Sequence, residues 1–348
     1  MRAVADIRRA IDDAGGALRF DDYVARALYG PHGFYTGDGR AGRRGDFITS
    51  PEVGPLFGTV IASWIEAEFD RLGRPAEFEV VEFGAGPGTL ARSILAEWRS
   101  SGVAGHPYTT VEPSALQRAA HPDGVTAIAD LAYLGGRPIT GVMIANELLD
   151  NLPFRLLVWD GAWREAFVTA PPGEPHRLQE VLLPLDPLAE RHDWLPSVGP
   201  RGARVPWQQI AHDWVRDTTS SLARGRLVCF DYVTARTSEL SAMPWRDWLR
   251  TYRAHERGGH YLNAVGEQDI TAQVALDQLP EPEAVRSQAQ FLQRWGISTL
   301  VDEGRSAWEA AAAAPTVAAM KMRSRITEAE ALLDVGGLGG FLALEWSR

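Results

Sequence analysis

Short, nearly continuous apolar runs alternate with segments of helical period along much of the chain, most clearly between residues 78 and 113. Val80, Val81 and Phe83 suit a strand covered on both faces, as parallel strands are. Gly84, Gly86 and Gly88 follow, and Leu90, Ile94, Leu95 and Trp98 then recur with a period of about 3.6. The pattern predicts a strand, a tight turn and a helix, with further strands at 108–111, 125–128 and 141–146. Buried-type runs at 225–232 and 341–346 add two late strands. Helical spacing marks residues 1–29, a polar helix at 114–120, and segments at 207–215, 285–295 and 306–319. Val53, Leu56, Phe57, Val60, Ile61, Trp64, Ile65 and Phe69 read as one amphipathic helix opened by Thr49, Ser50, Pro51 and Glu52. Residues 154–160 and 163–169 flank Asp160-Gly161, a hairpin signal, whereas 170–205 holds seven prolines and reads as an irregular extension. The expected class is α/β, a largely parallel sheet with helices on its faces.

Composition narrows the partners. With 348 residues, 45% of them hydrophobic and 23% charged, the chain can bury a large core in one big or two unequal domains. A formal net charge of −10 argues against a protein that grips nucleic acid through its whole surface. No apolar run approaches the roughly 18 residues of a membrane span, so no membrane insertion is expected. Cys229 is the single cysteine and lies in the apolar run 227–230, which makes it a core residue and rules out an intramolecular disulfide. Arginine and aspartate alternate near the start where a secretory leader would be apolar, so a cytosolic protein is expected.

The polar residues gather where strands are expected to end: Glu82, Glu112, Asp130, Asn146-Glu147 and Asp231-Tyr232. In open α/β sheets ligands sit outside the carboxyl ends of the strands. The dinucleotide fingerprint would put its third glycine where this chain has Thr89. A diphosphate needs a free helix N-terminus, and here the carboxylate of Glu82 stands by the loop. A cationic, phosphate-free nucleoside suits that environment better, which points to S-adenosyl-L-methionine; a dinucleotide site and a purely structural turn are the alternatives. On this reading Glu82, Gly84, Gly86 and Gly88 border the cofactor and Glu112 accepts the ribose hydroxyls. Asp130 accepts the adenine amino group unless it only caps a helix. Asn146 stands at the fourth strand end, and Thr49, Ser50 and Pro51 reach the pocket edge. The stretch 29–52 is dense in glycine and proline yet carries Tyr29, His32, Phe34, Tyr35 and Phe47, as a ligand-covering loop does. His255 and His260 share no helical face and have no cysteine nearby, so no metal is expected. The basic run from Lys321 to Arg325 reads as a solvated helix face, with an acidic partner as the alternative.

Five motifs together resemble the MidA/NDUFAF family of class I S-adenosylmethionine-dependent methyltransferases, formerly a domain of unknown function. They are Tyr29, Pro31, Gly33 and Tyr35; Gly45-Asp-Phe-Ile-Thr-Ser-Pro-Glu52; Glu82-x-Gly-x-Gly-x-Gly88; Asn146-Glu-Leu-Leu-Asp-x-Leu-Pro153; and Asp269-Ile-Thr271. The resemblance implies a class I methyltransferase (Rossmann-like) seven-stranded sheet with flanking helices and an additional lobe. Mitochondrial members dimethylate an arginine of a respiratory NADH dehydrogenase subunit and assist assembly of that complex, which implies a protein partner, a respiratory-complex subunit. The family's Asp-Tyr-Gly is Asp231-Tyr232-Val233 here, and its closing Met-Gly is Leu338-Gly339.

A guanidinium acceptor stays protonated until the reaction begins and needs carboxylates that hold it and orient one nitrogen. Glu147 and Asp150 are the candidates, Asp46 and Glu52 the second choices, and helix capping is the other reading of Asp150. The expected organisation is N-terminal helices and covering loop (1–75), cofactor-binding core (76–170), extension and aromatic-rich substrate lobe with the returning strand 225–232 (171–284), and C-terminal helices with a closing strand (285–348). A protein arginine methyltransferase is the leading reading. A methyltransferase for a small molecule or another residue, and a non-catalytic assembly factor that binds the cofactor, stand beside it.

Overall fold

The computed structural model describes residues 2–36, 49–185, 192–253 and 256–348. The chain forms two compact units, one from residues 48–148, 218–231 and 282–348, the other from 1–47, 149–217 and 232–281.

The first unit is built on seven strands: β1 (Glu79–Phe83), β2 (Tyr108–Val111), β3 (Thr126–Ile128), β4 (Ile139–Asn146), β5 (Leu222–Asp231), β6 (Ala284–Ser287) and β7 (Leu342–Ser347). Their order is β6-β7-β5-β4-β1-β2-β3. Strands β5, β4, β1, β2 and β3 run parallel, and β7 lies antiparallel between β5 and β6. This is the class I methyltransferase sheet expected from the sequence. Every residue of β1 is buried, which explains its run of Val80, Val81 and Phe83. From β1 the chain steps outward to β2 and β3, then returns to the other side of β1 as β4, so the crevice of this sheet opens above β1 and β4.

The helices of this unit are α1 (Ser50–Val53), α2 (Pro55–Arg71), α3 (Thr89–Ser101), α4 (Ala115–Arg118), α5 (Gln288–Arg294), α6 (Ile297–Ala310) and α7 (Val317–Leu333). Helix α3 buries Leu90, Ala91, Ile94 and Trp98 and ends at Gly102, whose left-handed backbone returns its N–H to Trp98 O. Phe57, Val60, Ile61 and Trp64 of α2 join Val142, Ile144, Val228, Phe230 and Phe291 in one core. Gly141 and Gly225 pair across β4 and β5, and Gly141 also faces Glu79 on β1. A Cβ on Gly141 would lie 1.9 Å from the Glu79 carbonyl oxygen, and one on Gly225 would lie 1.8 Å from the Gly141 carbonyl oxygen. Here three backbones pass too closely for any side chain.

Three element boundaries differ from expectation. The helix read from Thr49 to Phe69 is two helices, because Gly54 is extended and Pro55 opens α2. The segment expected to be helical from 285 starts as strand β6, and the helix begins at Gln288 with Ser287 as its cap. The helix expected at 306–319 ends at Ala310, and Thr316 caps α7 by accepting the Ala319 N–H.

In the second unit, Leu18–Arg19, Trp163–Thr169, Arg155–Trp159 and Arg204–Trp207 are neighbours in that order, and Gln179–Pro184 pairs with Trp163–Thr169. The expected hairpin is present, with Trp159 opposite Trp163 and Gly161 at φ 82°. The stretch 170–205 is not irregular throughout, since Gln179–Pro184 and the start of Arg204–Trp207 lie within it as strands. Leu249–Arg253 pairs with both Glu256–Arg257 and Asp269–Ala272. Phe20, Tyr23, Phe154, Trp248, Tyr261 and Ile270 lie in this unit's core.

Candidate functional site

The loop after β1 carries three successive left-handed glycines, Gly84 at φ 62°, Gly86 at 53° and Gly88 at 75°. That conformation costs an L-residue roughly 1–2 kcal/mol at each position, which accounts for the alternation of glycine with other residues. The Gly84 N–H donates to Val111 O at 2.9 Å and the Gly88 N–H to Ala85 O at 2.8 Å, so the loop is tied to the end of β2 and to itself. Gly88 precedes α3, whose first N–H groups have no intrahelical acceptor.

Glu112 stands at the end of β2, buried. Its two oxygens accept the Gly86 N–H at 3.0 Å and the Ser114 N–H at 2.8 Å. Burial raises its pKa, while the two N–H donors and Arg118 act the other way. Lone pairs remain on both oxygens for further donors. Glu82 faces a different environment. Its carboxyl accepts the Tyr108 hydroxyl at 2.6 Å and the backbone N–H of Ala91, and burial pushes its pKa up to about 7. It is engaged between the sheet and α3.

The ends of β1, β2, β3 and β4 lie side by side, with Phe83 paired to both Val111 and Ala145, and Val111 to Ile128. The geometry therefore brings together Gly84, Glu112 and Asn146. Asp130 follows β3, exposed, and accepts the Ala132 N–H at 2.7 Å as the cap of a short 3-10 turn. Asn146 donates to Glu147 Oε1 at 3.1 Å, and its Oδ1 is buried with no hydrogen-bond partner among the described residues. Glu147 has φ 51°, a strained value for a side chain of its size, and its N–H is held by Phe230 O at 2.8 Å.

Helix α1 packs against α3 and α7. Ser50 is fully buried and donates to Gln288 Oε1 at 2.9 Å, Pro51 is buried beside it, and Glu52 accepts the Thr49 N–H at 3.3 Å in a capping box. Asp46 lies outside the described residues.

Asp150 belongs to the second unit, where three of the quoted motifs meet. Thr271 donates to its carboxylate, while Asn151 donates to Asp269 at 3.2 Å. The single Tyr35 O–H is shared between Asp269 at 3.1 Å and Asn151 Oδ1 at 3.2 Å, and Tyr29 donates to Asn151 O at 3.1 Å. Burial raises the pKa of Asp150 to about 6 and, with the charge of Asp150 added, that of Asp269 to about 7. Sequence reasoning missed Asp269 and Asn151 as members of one network, although both stand in motifs it singled out. It also missed His121, which touches the glycine loop. His260 packs on Tyr261 and Trp245, and His255 lies outside the described residues.

Residues 60–293 match a family model described as S-adenosyl-L-methionine-dependent methyltransferase. The chain is 30% identical over 181 residues to the protein arginine methyltransferase NDUFAF7 homolog, mitochondrial, of Drosophila melanogaster, a match covering 44% of this chain and 41% of that protein. It is 28% identical over 211 residues to the mitochondrial protein arginine methyltransferase NDUFAF7 of Rattus norvegicus, covering 50% of this chain and 47% of that protein. The match thus spans less than half the length of either curated relative. A solved structure of a Burkholderia thailandensis protein bound to S-adenosyl-homocysteine superposes with a TM-score of 0.85 at 26% identity, covering 100% of this chain and 92% of that one. The cytosolic location expected from the sequence is corrected by the curated relatives, which are named as mitochondrial. A lone core cysteine and a charged first segment do not distinguish the two compartments.

Proposed function

The chain belongs to this family of S-adenosyl-L-methionine-dependent methyltransferases, and from that premise we propose that it methylates a protein, with an arginine side chain as the acceptor. The names of the curated relatives support arginine as acceptor, and by the family resemblance a respiratory-complex subunit is the partner class. The observation that carries the cofactor reading is the glycine loop closed onto Glu112 beside an Asn146 Oδ1 with no partner among the described residues, all at the crevice of the sheet. Buried acceptors with bare backbone beside them fit a ligand that is cationic and rich in hydroxyls.

Bound there, S-adenosylmethionine supplies an electrophilic methyl group on a sulfonium. The chain's own residues do the positioning, which is most of what an in-line displacement needs. Gly84, Gly86 and Gly88 would let the ligand approach the main chain, and Glu112 would accept from the ribose hydroxyls. Asp130 would accept from the adenine amino group and Asn146 Oδ1 from the ligand's other amino group, with Thr49, Ser50 and Pro51 at the pocket edge through α1. Glu82 acts from beneath the loop through Tyr108 and Ala91. Glu147 holds the protonated guanidinium, orients one nitrogen toward the donor and takes the proton that this nitrogen gives up, passing it on to solvent. Of the four carboxylates considered for that role, Glu147 follows β4 directly and stands next to Asn146 at the crevice, and the reading rests on that place in the chain. Asp46 falls outside the described residues.

Incubating the protein with methyl-labelled S-adenosylmethionine and a cell lysate tests this. Label is expected in a protein band and, after acid hydrolysis, in methylarginine; label confined to small molecules, or to another amino acid, overturns the acceptor. Glu147→Gln is expected to keep calorimetric cofactor binding within about twofold while lowering transfer at least about 100-fold, the range of a lost acid-base or orienting group. Undiminished transfer removes Glu147 from the reaction.

A further inference from the structure

His121 follows α4 and spans two parts of the cofactor crevice. Its Nε2 lies 2.7 Å from the Gly86 carbonyl oxygen and its Nδ1 lies 2.9 Å from the Thr110 hydroxyl on β2. A carbonyl only accepts, so the proton must be on Nε2, and Nδ1 then accepts from Thr110; one neutral tautomer satisfies both bonds. Burial, with Arg118 and Arg92 nearby, lowers the pKa of the ring although its bond to Gly86 O acts the other way, which favours the neutral form. The contact is close as well as polar: a Cβ on Gly88 would meet His121 Cδ2 and Pro122 Cδ, both at 3.0 Å. Arg92 fastens the same segment from the other side, donating to Ala120 O at 2.8 Å and to Gly88 O at 3.3 Å.

Gly86 is also the residue whose N–H reaches Glu112, so both peptide groups flanking its Cα are held. With its carbonyl gripped by His121, that residue cannot rotate away from the left-handed conformation without breaking bonds on both sides. We propose that His121 is a positioning residue for cofactor binding, holding Gly86 so that the loop and the Glu112 carboxylate are set before the ligand arrives. The proposal rests on the reading of this loop as the cofactor site. Preorganisation of this kind acts on affinity, because the free protein no longer has to order the loop on binding.

Calorimetric titration of S-adenosyl-homocysteine into the unaltered protein, His121→Ala, His121→Gln and Thr110→Val decides it, with thermal unfolding of each ligand-free protein recorded alongside. His121→Ala is expected to bind about tenfold more weakly, the worth of one neutral hydrogen bond. His121→Gln places an amide N–H where Nε2–H stood and is expected to recover to within about threefold, which loss of general packing would not do. Thr110→Val, which frees Nδ1 but leaves the ring in place, should fall between them and carries the test with His121→Gln should His121→Ala not fold. Equal affinity in all variants, or equal losses in His121→Ala and His121→Gln, overturns the positioning role. An unaltered protein that does not bind S-adenosyl-homocysteine overturns the reading of the loop itself, and the proposal with it.

Discussion

Glu147 holds an unfavourable backbone angle where the same chain elsewhere uses glycine. A left-handed φ costs an ordinary residue about 1 kcal/mol or more, so Glu147→Gly should raise the stability of the ligand-free protein by about 1 kcal/mol in urea unfolding while abolishing most methyl transfer. A variant both less stable and fully active would mean that the strain has no connection with the reaction. The glycines and Glu112 were legible because each is explained within its own strand, turn and helix. Asn151 and Asp269 were not, since 118 residues separate them and no spacing rule links them. His121 likewise stands in a polar segment with no period, and its contact with Gly86 follows only from how α4 returns across β2.

Among the elements, the buried parallel strands were the easiest to read, because being covered on two faces leaves a run of apolar residues. Boundaries failed where local signals competed. Gly54-Pro55 is a break signal inside an otherwise unbroken apolar period, and the period taken alone predicts a single helix. Strand β6 pairs with β7 at the sheet's edge and shows little alternation, so its residues blend into the helix that follows. Proline density hid Gln179–Pro184, a strand paired with Trp163–Thr169. The close passage of β1, β4 and β5 was also unread, although Gly141 and Gly225 stand at the very positions that permit it. Gly141→Ala and Gly225→Ala should each cost roughly 3 kcal/mol or more in denaturant unfolding, the scale of a strained backbone plus a forced separation of strands. A cost below about 1 kcal/mol would show that the strands can part to admit a methyl group.

For the whole molecule, four carboxyl groups among the described residues are held above their ordinary range and shape the pH dependence: Glu82 and Glu112 in the sheet unit, and Asp150 and Asp269 in the other. Each has a folded-state pKa above its unfolded value, from 4.5 to about 7 for Glu82 and from 3.8 to about 7 for Asp269. Their favourable contribution is fully present below about pH 4 and is lost as the pH rises through 6 and 7. Ionising Glu82 in the folded state costs on the order of 3 kcal/mol. Glu82→Gln and Asp269→Asn should therefore match the unaltered protein near pH 4 and exceed it at pH 8, measured by chemical unfolding at both values. Parallel pH profiles for all three proteins would contradict the raised values. The sheet carries a different kind of consequence, one of timing. Strand β7 fills the slot between β5 and β6 yet follows every other strand of the sheet in the chain, and β6 has no other neighbour among the described residues. During synthesis, Ala284–Ser287 emerges more than fifty residues before the partner that joins it to the sheet. Until Leu342–Ser347 leaves the ribosome, the nascent chain carries an open β5 edge that a chaperone or a neighbouring polypeptide can occupy instead.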